Sequence, residues 1–155
     1  MTETSVDPIT SMAQMLWLAA QTPNFISQPL GDIASGCQFA INRGQFRIYR
    51  SAESLPLGCV CWVWLDAEHE DTAAAAMLAA PFGTVTLKEE WMGGDRLWFY
   101  NFIAPFGHAR AIADDLRHRV FPGVNARALR MDKRGNLKHF ALFRNVDRRK
   151  DKAPA

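Results

Sequence analysis

The chain has 155 residues, 48% hydrophobic and 22% charged, the size and balance of one globular domain rather than a disordered chain. Its formal net charge of +2 conceals an asymmetry: residues 1–106 hold 5 Lys/Arg against 11 Asp/Glu, and residues 107–155 hold 13 against 5. No apolar run reaches the ~20 residues that cross a bilayer, and the acidic first residues lack the positive end of a signal peptide, so a cytoplasmic protein without a membrane span is expected.

The basic part lacks the aromatic interleaving of a nucleic-acid binder, so an acidic protein is an equal candidate for its partner. Charge alone does not choose. Cys37, Cys59 and Cys61 form neither an even disulfide framework nor the C-x2-C spacing of a zinc site. Cys59 and Cys61 alternate within a strand-like run and face one side of it, which predicts small buried residues in a reducing compartment and no metal.

In residues 9–20 the apolar positions Ile9, Met12, Met15, Leu16 and Ala19 recur at three- and four-residue steps, widened by Trp17 and Leu18. This predicts a helix capped by Asp7 or Thr10 and ended ahead of Pro23. Residues 29–42 read as a second helix, closed by the turn Arg43-Gly44. Residues 45–50 and 57–65 carry β-branched and aromatic residues around a short connection and predict a hairpin. Residues 68–80 pair an acidic start with an alanine-rich body, the order that suits a helix dipole, and Pro81-Phe82-Gly83 stops it.

A strong strand follows at 95–103, then the turn Ala104-Pro105-Phe106-Gly107, then a helix at 108–120. Strands at 126–131 and 137–143 flank a turn at 132–136, and a charged tail at 148–155 is expected to fray. The order αα-ββ-α-β-α-ββ predicts one α+β domain over residues 1–147, with a mostly antiparallel sheet.

The segment Trp91 to Gly107, WMGGDRLWFYNFIAPFG, is the most specific stretch. Gly93-Gly94 turns into a strand whose mouth holds Asp95 and Arg96, and the APFG turn sets backbone amides at the start of a helix, where they can hold a phosphate. Rigid backbone holds the Asp95 carboxylate, and strand alternation places Arg96 on the other face, leaving Asp95 free to bind a cationic amine.

These residues resemble the toxin-activating lysine acyltransferases, which fatty-acylate lysines of RTX-type protoxins. The family pattern W-x-x-G-D-R-x-W-F followed by I-A-P-F-G is matched by Trp91, Gly94, Asp95, Arg96, Trp98 and Phe99 and by Ile103, Ala104, Pro105, Phe106 and Gly107. The likeness extends through Trp17-Leu18, Thr22-Pro23, Cys61-Trp62 and Arg127 to Asp132. It implies a fold like the GNAT acetyltransferases and an acyl donor on the phosphopantetheine of an acyl carrier protein, or on coenzyme A. It also implies a lysine or ornithine side-chain amine of a protein toxin or ribosomal peptide as acceptor, and it leaves a homodimer open.

On that resemblance Ile103, Ala104, Phe106, Gly107 and Arg110 would bind the donor, Arg117 and Arg119 would dock the carrier, and Trp17, Phe25 and Trp98 would line an acyl-chain or acceptor pocket. Asp95, Thr22 and His108 are the candidate catalytic residues. The family places a histidine two residues after the proline that ends its first helix, and here that position is Phe25, which accepts no proton. A catalytically silent member that binds a carrier or partner is the alternative. Amine acylation needs a neutral amine, and a lysine with a pKa of about 10.4 is protonated at pH 7, so some group must take that proton. His108 follows the APFG turn directly; His118 lies in a basic run, and His69 and His139 carry no argument beyond their identity.

Overall fold

The computed structural model describes residues 7–79, 87–131 and 137–143. Asp7 begins helix α1, Pro8–Ala20: its Oδ1 accepts the Ile9 and Thr10 amides, both at 3.0 Å, so Asp7 rather than Thr10 is the cap. Pro23 does not merely end α1. It opens a one-turn helix, α2 (Pro23–Ile26), because a proline ring presets the first helical φ. Helix α3 spans Leu30–Arg43 and ends on Gly44 at φ 64°.

Strands β1 (Phe46–Arg50) and β2 (Pro56–Leu65) form the predicted hairpin, and β3 (Arg96–Ile103) pairs antiparallel with β2. Strand β4 (Ala126–Met131) runs parallel to β3, and β5 (Leu137–Phe143) returns antiparallel to β4. The sheet is therefore mixed and five-stranded, in the order β1-β2-β3-β4-β5, within an α+β fold. Helix α4 covers Glu70–Ala79, and α5 covers Ala109–Asp115. The stop at residues 81–83, the turn at 132–136 and the tail at 148–155 lie outside the described residues.

One core packs the first helices and α4 against one sheet face through Met15, Leu18, Ile33, Cys61, Met77 and Trp98. A second core packs α5 against the other face through Val60, Leu97, Phe99, Ile112 and Leu116. The helix predicted at 108–120 is present from Ala109 to Val120 but is not uniform: Leu116–Val120 widens into a π-helical turn, with the Phe121 amide donating to the Leu116 carbonyl at 2.8 Å. The widening delivers Phe121 to the sheet, where its ring meets Trp62, Trp64 and Phe99 at centroid distances of 5.1, 5.9 and 5.8 Å. No helix of the described residues is long and apolar enough to cross a membrane.

Gly94 explains part of the sequence motif. A Cβ there would lie 2.3 Å from the Leu65 carbonyl oxygen and from the Asp66 Cα, so only glycine lets this turn close onto the end of β2.

Candidate active site

The parallel ladder between β3 and β4 is short. It joins Leu97 to Ala126, Trp98 to Arg127 and Phe99 to Ala128, and β3 then runs on to Ile103. Across from β2 this stretch carries an extra residue, because Cys59 and Cys61 face Ile103 and Tyr100. Asn101 occupies the bulge with φ 45° and is 6% exposed. Its Nδ2 lies 3.9 Å from the Cys37 Sγ, and its carbonyl lies 4.0 Å from the Cys59 thiol. A buried polar residue held at positive φ marks stored strain, a common property of functional sites. Reading the sequence did not single out Asn101; the one available signal was a lone amide inside the apolar run WFYNFI.

The segment expected to bind the donor follows at once. Ile103 is fully buried, Ala104 packs on the second core, and Gly107 turns at φ 90°. Phe106 and Trp17 are each about half exposed and meet at 5.8 Å, so α1 and the APFG turn share a partly open apolar surface. Arg110 is exposed on α5. His108 stands just before that helix, and its Nδ1 is buried without a hydrogen-bond partner among the described residues. Such an atom has lost water and gained nothing in exchange, which leaves it available to a bound group.

The other candidates separate. Thr22 donates its hydroxyl to the Leu18 carbonyl at 3.1 Å and so finishes α1. Phe25 is 7% exposed and Trp98 1% exposed, and both are packed in the core rather than along an open tunnel. The Trp98 indole N–H donates to the Glu70 Oε1 at 3.0 Å. The same carboxylate oxygen lies 2.9 Å from the Arg127 Nη1, and Oε2 lies 3.8 Å from the Arg96 Nε. Burying a carboxylate is tolerated when donors surround it, and Glu70 ties α4 to β3 and β4 where the two strands run together.

Asp95 stands at the opposite end of β3 from Ile103, roughly 26 Å of strand away at ~3.3 Å per residue. Asp95 and His108, both candidates, therefore lie at opposite ends of β3. Arg96 also does not face away: its Nε lies 3.6 Å from the Asp95 Oδ1. Alternation fails here because Asp95 precedes the ladder, in the bend after Gly94, where the two-residue period does not apply. Both side chains are largely exposed, so the pair is weak.

Near that end His69 forms a pair that its sequence position did not suggest. Its Nδ1 lies 3.0 Å from both Asp66 carboxylate oxygens, and its amide donates to the Asp66 Oδ1 at 2.8 Å. The hydrogen bond to Asp66 holds the imidazole pKa above its ordinary range, with Glu68 and Glu90 adding to the effect. The pair caps α4.

Arg117 and Arg119, expected to dock a carrier, sit on the π-helical turn. Arg117 lies 3.8 Å from Asp114, and the 82%-exposed Arg119 lies 3.7 Å from Asp115. Asp115 also accepts from the Tyr49 hydroxyl at 2.8 Å, which anchors this basic face to β1. Cys37, Cys59 and Cys61 are all buried in the first core, and burial pushes the Cys59 thiol well above its usual range. Among the described residues no group of three His, Cys, Asp or Glu is placed to hold a metal ion.

Strands β3 and β4 pair over three residues only, and β3 then leads into the Ala104–Gly107 turn and α5. Residues 5–141 match the model of the RTX toxin acyltransferase family, and the chain belongs to that family. An uncharacterized protein of Synechocystis sp. is 30% identical over 126 residues, 80% of this chain and 81% of that protein. The RTX-I toxin-activating lysine-acyltransferase of Actinobacillus pleuropneumoniae is 29% identical over 125 residues, 78% and 66% of the two chains. A protein-lysine myristoyltransferase of Escherichia coli is 28% identical over 136 residues, 88% and 75% of the two. The class is that of enzymes forming an amide on a lysine side chain.

Proposed function

We propose that this protein transfers a fatty acyl group from the phosphopantetheine of an acyl carrier protein to a lysine or ornithine side-chain amine of a protein toxin or ribosomal peptide. The observation that carries the reading is the parting of β3 from β4 just ahead of the Ala104–Gly107 turn, in a chain of this family. A GNAT-like fold, in which an extended donor arm lies between two separating strands, accounts for that parting. The donor's phosphate would meet residues 104–110, and its thioester would lie along the end of β3. The acyl chain would be covered by the Trp17–Phe106 surface, whose rings meet at 5.8 Å.

The step balances within these groups. The neutral amine nitrogen attacks the thioester carbonyl, a C–N bond forms, the C–S bond breaks, and the carrier leaves as a thiol. The acceptor ammonium loses one proton to water before attack; the second, shed by the nitrogen as the amide forms, passes to His108, whose unpartnered nitrogen stands beside the donor turn, and from there to the departing sulfur.

Carrier docking falls to Arg110, in the first turn of α5 after the donor turn, and to Arg117 and Arg119 at the far end of the same helical stretch. Charge complementarity of this kind acts mainly on association rate and specificity. Changing all three to Glu is expected to weaken carrier binding at least tenfold at low salt, with little change in melting temperature. Affinity unchanged in 50 mM salt removes the docking role. A second reading, a member that binds a carrier without turnover, is favoured by the buried Phe25 where the resemblance places a histidine. Acylation of a lysine peptide by purified protein and acyl carrier, followed by intact mass, separates the two: an added acyl mass supports transfer, and carrier binding without product supports the silent member.

A further inference from the structure

At the end of β3 remote from the donor turn lies a second feature that the transfer step does not use. Arg43, Gln45, Trp64, Glu89, Met92 and Asp95 line a solvent-open cleft of about 640 Å³. The carboxylates of Glu89 and Asp95 are 83% and 85% exposed at its rim. The Arg43 guanidinium is already engaged, ion-paired with Glu89 and lying 3.7 Å from the Phe39 ring centroid. Lys88 lies over the Trp91 ring, and Arg96 is shared between Asp95 and Glu70.

An independent observation points the same way. The Gln45 Oε1 is buried and has no hydrogen-bond partner among the described residues. An amide oxygen in that state lacks a donor, and a cation carrying N–H groups supplies one. The Trp64 ring in the lining offers an apolar and cation-attracting surface for an alkyl stem and its charged head. Acceptor oxygens and an aromatic ring together suit a basic side chain.

Distance decides which basic side chain. Asp95, at the rim of the cleft, is roughly 26 Å of strand from Ile103 at ~3.3 Å per residue, too far for the amine that is acylated beside the donor turn. Resting on the proposed function, we propose that the cleft holds a second basic residue of the same acceptor polypeptide. An extended chain advances ~3.3–3.6 Å per residue, so this residue lies roughly seven or more positions from the acylated lysine.

The test uses Nα-acetylated Gly/Ser peptides with one Lys and one Arg, at separations from three to twelve residues; arginine itself is not acylated. Acyl transfer is followed by mass, and direct binding by fluorescence anisotropy of labelled peptide. Peptides with Arg about seven to ten residues from Lys should show a KM about tenfold lower than close-spaced ones, with kcat unchanged. Asp95→Asn should remove most of that advantage, and Asp95→Lys should reverse it. Asp95 is exposed, so both variants should melt with the wild type. An advantage independent of spacing, or one retained in Asp95→Lys, overturns the inference. If no peptide is acylated at all, the transfer reading fails by itself. The binding arm still decides the cleft: equal affinity of wild type and Asp95→Lys for the wide-spaced peptide rejects it, and weaker binding by Asp95→Lys supports it.

Discussion

His108→Gln is expected to lower acyl transfer about a hundredfold, on the order of 2.7 kcal/mol in the barrier. Glutamine keeps hydrogen-bonding capacity and similar bulk but does not take a proton at neutral pH. The APFG turn ends at Gly107 with φ 90°, and the backbone places the next residue, His108, just before α5. Its Nδ1 is shielded from water yet lacks a partner, so nothing in the described protein consumes its capacity. A histidine there only to pack would behave differently. Its replacement would shift the melting curve and leave the rate per folded molecule unchanged, so rate and melting are measured on the same preparation. A near-wild-type rate in the folded variant rejects His108 as the proton acceptor.

The largest effect on stability is expected at Glu70. Its side chain is 12% exposed and serves the Trp98 indole, Arg127 and Arg96 together. Glu70→Ala leaves the buried indole N–H without an acceptor and two guanidinium groups without their shared counterion. Arg127 and Arg96 are 43% and 48% exposed, so water recovers part of their loss. The expected cost is about 2–4 kcal/mol, most of it from the buried indole and the isolated charge. For a domain of this size that is a fall in melting temperature of roughly 5–15 °C. Glu70→Gln keeps an acceptor for Trp98 and should recover about half of the loss. A Glu70→Ala variant that melts within 1 °C of wild type would show that these contacts contribute nothing net.

The elements with strong local signals were legible. The hairpin, the β3 strand and the order of helices follow from apolar period and turn residues, and the WxxGDR and APFG segments carried the family. What escaped depends on contacts distant in sequence. The Asn101 bulge arises because β2 and β3 must stay in register on both sides of one extra residue, which no local pattern states. The π-helical turn is set by Phe121 reaching three aromatic rings of the sheet. Pro23 was read as a terminator because a proline that ends one helix and one that starts the next look alike in sequence. Asp95 and His108 each flank β3, and a strand between two residues separates them as far as its length allows, which no local pattern states.

The central claim is that this chain forms an amide between a fatty acyl group and a side-chain amine. Its most direct test is the intact mass of a lysine peptide after incubation with purified protein and acyl-loaded carrier, read before and after hydroxylamine, which cleaves thioesters and oxygen esters but leaves amides. The account predicts one added acyl mass on the lysine that survives hydroxylamine and is absent when the protein is omitted. A peptide that stays unmodified while the carrier binds, or an acyl mass lost to hydroxylamine, would contradict it.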